Sequence, residues 1–126
     1  MKLRMNEDSV RLRLRRSEVD QFRKTGSVSA AMRFPNGRAL TYRLAASGIG
    51  EITVSFVDDV LEVLVPAGEG EAWSGGNAVG MYGSSCGIEV LVEKDFRRTS
   101  MPSPDDADRY PNPRATAANR SALMVR

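Results

Sequence analysis

The chain has 126 residues, 41% hydrophobic and 27% charged, with 18 basic and 16 acidic side chains and a formal net charge of +2, the proportions of one soluble globular domain. It contains no His and a single cysteine, Cys86; Ser–His and Cys–His nucleophiles, His-based zinc sites and an intrachain disulfide are therefore excluded. No apolar run approaches the roughly 18–20 residues that span a bilayer, and "MKLRMNEDSV" has no apolar stretch behind its positive charge, so neither a membrane partner nor a secretory signal is expected. The lone cysteine suits a reducing, cytoplasmic setting.

Period-2 alternation of apolar and polar residues dominates the chain and predicts strands. "KLRM" sets Lys2 and Arg4 against Leu3 and Met5, and "VRLRL" sets Arg11 and Arg13 against Leu12 and Leu14. "SEVDQFRKTG" then reads as a short helix. Ser17 is its expected N-cap, Arg23 and Lys24 suit its negative end, and Gly26 is its stop. "SVSAAMRF" places Val28, Ala30, Met32 and Phe34 on one side of a strand, "PNG" is a hairpin signal, and "ALTYRLA" returns with Leu40, Tyr42 and Leu44 together. "EITVSFV", a tight turn at Asp58-Asp59 and "VLEVLVP" make a second hairpin. A weak helix over "AGEGEAWSG" has two glycines counting against it. "AVGMYG" and "GIEVLVEKDF" close the ordered part as strands. From Arg97 the composition shifts to Pro-rich and aperiodic, which predicts an extended strap, anchored by Tyr110, and then a flexible tail over 97–126, with a marginal helix in "ATAANRSALM".

The ordered part reads as duplicated. Strand Leu12/Leu14, helix, Phe22 and strand Val28 match strand Val63/Val65, helix, Trp73 and strand Val79 at an offset of 51. One β-rich domain over 1–96, built of two pseudo-repeats of about 1–50 and 51–96, follows from this spacing. Two short helices cannot cover the apolar faces of about eight strands. The fold class expected is therefore α+β: a duplicated strand–helix–strands unit forming an antiparallel barrel-like sheet, with Leu12, Leu14, Val28, Val63 and their phase-mates inside. That inward set includes Met5, Met32, Phe34, Phe56 and Val79.

Charge is unevenly spread. Residues 1–45 hold eleven basic and four acidic side chains, and residues 46–96 hold one and nine. Each basic block has an acidic block to face, which argues against nucleic acid as a partner. The outward phase carries Lys2, Arg4, Arg11, Arg13, Arg33 and Arg43 from the first half and Glu62, Glu89 and Glu93 from the second. The six cations are a candidate site for a small phosphate-rich anion or an acidic protein, because guanidinium groups on adjacent strands grip oxyanions bidentately. Glu89 and Glu93 share one strand face and are the candidate ligands for Mg²⁺ held jointly with substrate phosphates. Cys86 lies in a loop without the base or cation that activates a thiol. "GEGEAWSGG" lacks the spacing and Lys of a phosphate loop, and Trp73 is expected as a core plug.

Two resemblances bear on these residues. The pieces "MKLR", "VRLRL", "LTYRL", "LVEKDF" and "DDADRYPNP" resemble a small family of uncharacterised bacterial proteins over residues 1–113, with "EKDF" and "YPNP" the most specific marks. That family implies no reaction. The duplicated strand–helix–strands plan resembles the CYTH-like triphosphate tunnel fold, which implies an eight-stranded barrel with a polar tunnel, inner Arg and Lys for triphosphate and inner Glu for a divalent metal. Where that fold carries its Glu-x-Glu-x-Lys metal strand, this chain has Lys2-Leu3-Arg4-Met5. The leading expectation is therefore a non-catalytic binding module without a cofactor. A divergent phosphohydrolase using Mg²⁺ on Glu89 and Glu93, and a structural homo-oligomer pairing through open sheet edges or the tail, are the alternatives.

Overall fold

The computed structural model describes residues 1–96. Eight strands and two helices run in the order β1 (Lys2–Met5), β2 (Ser9–Leu14), α1 (Arg16–Thr25), β3 (Ser27–Arg33), β4 (Ala39–Ser47), β5 (Thr53–Val57), β6 (Val60–Pro66), α2 (Ala67–Gly75), β7 (Gly80–Ser85) and β8 (Ile88–Lys94). The first five elements and the last five repeat one plan, a hairpin, a helix and a hairpin. Residues 1–94 make one compact unit, and a second unit begins at Asp95. The strap, the tail, the Tyr110 anchor and the marginal helix expected over 97–126 lie outside the described residues.

The strands form two four-stranded sheets, ordered β1-β2-β8-β7 and β3-β4-β6-β5. Each sheet takes one hairpin from each half of the chain. Within a hairpin the pairing is antiparallel. The two hairpins of each sheet are joined in parallel, β2 to β8 and β4 to β6. The α+β class, the eight strands and the two helices are as expected. The pairing departs from the expected antiparallel sheet because strands from different halves meet after a long crossover, which permits a parallel ladder. The sheets do not close into a barrel, although Val54 N–H on β5 donates to Ser85 Oγ on β7 at 3.3 Å across one seam.

Alternation decides the faces. In β2, Val10, Leu12 and Leu14 are buried while Ser9, Arg11 and Arg13 turn outward. Across the first sheet Leu3, Leu12, Val92 and Met81 form one row. Across the second, Val54, Val63, Leu44 and Val28 form its counterpart. These rows face each other in one apolar core, and Leu12, Leu14, Leu44, Val63, Val65, Val90 and Val92 have no exposed surface. The equivalences show where the repeat spacing changes. Leu3/Val54, Leu12/Val63 and Phe22/Trp73 keep the offset of 51, but the counterpart of Val28 is Met81 and not Val79. Residues 76–79 separate α2 from β7, where Gly26 alone separates α1 from β3. The longer link carries Val79 past the core and leaves it half exposed.

The helices plug one end of the core. Val19 and Phe22 of α1 are buried, and Trp73 of α2 is 1% exposed. Phe22 and Trp73 meet edge to face, 5.8 Å between centroids at 72°. Gly70 gives Phe22 its room, since a Cβ there would lie 3.0 Å from Phe22 Cζ. The indole N–H donates to the Val79 carbonyl at 3.1 Å, and Lys94 Nζ stands over the ring at 5.7 Å. So α2 forms despite its two glycines, because packing overrides weak propensity. Helix α1 starts earlier than expected. Its N-cap is Arg15 and not Ser17, because the Glu18 carboxylate reaches back to accept the Arg15 N–H at 2.8 Å. Gly26 ends it in the left-handed region, φ 86°. The two short hairpin turns also need positive φ. Asp58 and Asp59 take 53° and 64°, and Cys86 and Gly87 take 49° and 87°.

Two predictions follow from this core. Trp73→Ala removes the largest fully buried side chain and should cost about 3–5 kcal/mol, measured by urea unfolding. Glu18 also pairs with the Met1 ammonium. Burial of its carboxyl acts to raise its pKa, but the hydrogen bonds from Met1 and Arg15 prevail and hold it below the ordinary 4.5. The folded pKa is depressed, so this stabilisation is present above pH 4.5 and fades as the pH falls below that value. Glu18→Gln should therefore lower the melting temperature at neutral pH, and the gap to wild type should narrow under acid.

Candidate functional site

The outward face of the first sheet follows from the register of β1 and β2. Lys2 stands opposite Arg13, and Arg4 stands opposite Arg11. With strands about 4.8 Å apart and same-face residues about 7 Å apart along a strand, four cations share a patch of about 5 by 7 Å at backbone level. Directly opposed like charges destabilise a strand pair, and here two such pairs are adjacent. Burial of Leu3, Leu12 and their row-mates on the other face dictates this arrangement, because a strand that turns its apolar phase inward must turn its basic phase outward.

The neighbouring strand β8 brings one compensating group into the patch. Arg13 is level with Glu93, and Ser9 with Glu89. Arg11 reaches diagonally, and its Nε donates to Glu93 Oε1 at 2.8 Å. The Tyr82 hydroxyl donates to Glu93 Oε2 at 3.1 Å. Desolvation of the phenol, and then its hydrogen bond to the Glu93 carboxylate, push the Tyr82 pKa above 10.0. Gly80, opposite Glu93 on β7, makes room for this bond. A Cβ at Gly80 would lie 2.6 Å from the Tyr82 hydroxyl. Glu93 is thus committed to two donors, whereas Glu89 is exposed. Arg4 and Arg13 have no carboxylate partner among the described residues, and Arg13 Nε is shielded from solvent without an acceptor.

The structure divides the sequence-derived cations. Lys2, Arg4, Arg11 and Arg13 lie together, while Arg33 and Arg43 belong to β3 and β4 of the second sheet. Arg43 pairs there with Glu62, its neighbour across the parallel ladder. The space between the sheets is filled by apolar side chains, so neither the arginines nor Glu89 and Glu93 line a polar tunnel of the kind the CYTH-like resemblance implies. Among the described residues no three acidic, His or Cys side chains gather as a metal cluster. No described helix is long and apolar enough to cross a membrane. Cys86 is exposed in the β7–β8 turn.

Sequence reasoning missed Tyr82. Its signal was present, because Tyr82 is out of phase with the buried Met81 in "GMYGSS" and must share the face of Glu93. A double-mutant cycle of Arg11→Met and Glu93→Gln should give a coupling energy of about 1 kcal/mol, near the upper end for pairs in contact with solvent. The check is chemical denaturation of the four proteins.

No curated protein and no solved structure matches the chain. The model of a family of unknown function (DUF7009) matches residues 1–114, which take in both halves of the fold and all of the basic face. This agrees with the resemblance to an uncharacterised family read from the "EKDF" and "YPNP" pieces, and the chain belongs to the DUF7009 family of unknown function.

Proposed function

We propose that the protein is a non-catalytic binding module that takes a small phosphate-rich anion on the outer face of β1 and β2. One observation carries the reading: two cross-strand cation pairs, Lys2/Arg13 and Arg4/Arg11, stand side by side, with Arg11 alone of the three arginines held by a carboxylate among the described residues. A phosphate group between the pairs would turn their mutual repulsion into charge-assisted hydrogen bonds, for which the fork of a guanidinium is suited. The side chains start from a rigid ladder, so little backbone ordering is required on binding. Glu93 holds Arg11 and Tyr82 in place from the neighbouring strand, a positioning role that needs no metal. The face is too small, and the chain too nearly neutral, for a nucleic-acid track.

The test is thermal unfolding with inorganic triphosphate in the absence of divalent metal. At a hundredfold excess over Kd the stabilisation expected is about 2.7 kcal/mol, and high salt should remove it. Arg4→Gln combined with Arg13→Gln should abolish the shift, while Arg33→Gln, on the other sheet, should leave it intact. An equal shift in the double variant, or no shift in wild type at low salt, overturns the proposal.

A further inference from the structure

The outer face of the first sheet does not end at its cations. Lys2, Arg13, Glu93 and Gly80 stand in one row across it, and Arg4, Arg11, Leu91 and Tyr82 in the next. Tyr82 is 55% exposed on β7, the edge strand opposite β1. Its ring lies down along the strand. A Cβ at Gly80 would fall 2.6 Å from the Tyr82 hydroxyl and 2.8 Å from its Cζ, so the phenol end occupies the room that the glycine leaves. The hydroxyl is pinned to Glu93 Oε2 at 3.1 Å. One side of the ring is thus against the sheet, and the other is open to solvent beside Leu91.

The acids of this face are unevenly placed. Glu7, Asp8 and Glu89 are exposed and gather at the turn between β1 and β2, where the Glu89 N–H donates to the Asp8 carbonyl at 2.8 Å. Glu89 is level with Ser9, four residues or about 13 Å along the strand from Arg13. Beyond the opposite end, Glu18 is taken up by the Met1 ammonium and Arg15. Glu93 is the carboxylate that stands within the row of Lys2 and Arg13, and Arg11 and Tyr82 already share it. A polyanion is therefore drawn to Lys2, Arg4 and Arg13 and away from the turn.

From this order we infer that the anion is a nucleotide, with its phosphates on the cations of β1 and β2, its ribose over Glu93 and its base against the Tyr82 ring. The inference rests on the anion-binding reading and names the ligand of that site. Cations, a carboxylate and an aromatic ring occupy β2, β8 and β7 in turn, the order in which phosphate, ribose and base follow one another in a nucleotide. Arg13 and Gly80 are two strand spacings apart, about 10 Å, a span that the sugar between a base and its phosphates bridges. Glu93 accepts one bond on each oxygen. A carboxylate has about four acceptor positions, so it can also take ribose hydroxyls, as an acidic side chain does in dinucleotide sites. Stacking on an aromatic ring tolerates any base, so the preference is for nucleotides as a class.

Isothermal titration calorimetry with ATP and with inorganic triphosphate, both at low salt with a metal chelator, tests the inference. The cations alone would favour inorganic triphosphate, the more highly charged ligand. Wild type should instead bind ATP about fivefold to a hundredfold more tightly, the range of base stacking on an aromatic side chain. Tyr82→Leu should bring the ratio of the two affinities to one or below. Tyr82→Phe, which keeps the ring, should hold the ratio well above one. A ring that served only to cover Gly80 would alter the melting temperature and leave the ratio alone. If triphosphate binds but ATP binds no more tightly, or if a folded Tyr82→Leu keeps the wild-type ratio, the nucleotide inference is overturned and the anion reading stands. If neither ligand binds, both fall.

Discussion

The fold depends on two parallel ladders, β2 with β8 and β4 with β6. They are the only strand pairings between the two halves of residues 1–94, and both are central in their sheets. Each hairpin by itself is a two-stranded ribbon, marginal in water. Joined in parallel to a hairpin of the other half, it becomes part of a four-stranded sheet with one apolar face. The halves are thereby interleaved: neither sheet exists without both. The rows Leu3–Leu12–Val92–Met81 and Val54–Val63–Leu44–Val28 are the outcome of that exchange, and burial of those rows is the main source of stability.

The same ladders account for the site. Because β8 lies beside β2, an acidic strand of the second half meets the basic strand of the first, and Glu93 comes within reach of Arg11. In the second sheet β6 lies beside β4, and Glu62 meets Arg43. The opposite charge of the two halves thus has a structural meaning, since each sheet sets one basic strand against one acidic strand. The match is complete at Arg43. It is incomplete on the first sheet, where Glu93 holds Arg11 and Arg4 and Arg13 have no carboxylate partner among the described residues. The excess charge that carries the binding proposal is therefore a property of the edge hairpin.

Departures from internal symmetry mark where the two ends differ. Helices, Trp73 and the lysine over its ring seal one end. At the other, the longer β3–β4 hairpin leaves Met32 and Phe34 uncovered, and Phe56 on β5 is exposed as is its counterpart Met5 on β1. A perfectly repeated chain would have balanced the sheets, and the additional pair and loop in the first half upset that balance.

Strand phase, the tight turn at Asp58-Asp59, the helix end at Gly26 and the inward Trp73 were legible in the sequence, because alternation, tight turns and glycine stops are set by neighbours a few residues apart. The Cys86-Gly87 turn carries only a loop signal there, and the helix is capped by Arg15 and not by the Ser17 that the sequence suggests. The repeat was legible as far as Trp73, and it failed at Val79 because a link of changed length shifts register without leaving a local signal. Phase alone placed Met32 and Phe56 inside. It says which face of a strand is apolar, but not whether an opposite strand extends far enough to cover it. Likewise the alternation of Arg11 and Arg13 was plain, but their partners were not. Parallel pairing across about 80 residues, 82 between Arg11 and Glu93, is a tertiary choice; it brought Glu93 to the basic hairpin, and the division into two sheets separated Arg33 and Arg43 from it. The sequence by itself determined the elements, their faces and the distribution of charge. Only the tertiary structure decided which faces meet, because covering a face depends on strand order and length in space, and no local pattern encodes either.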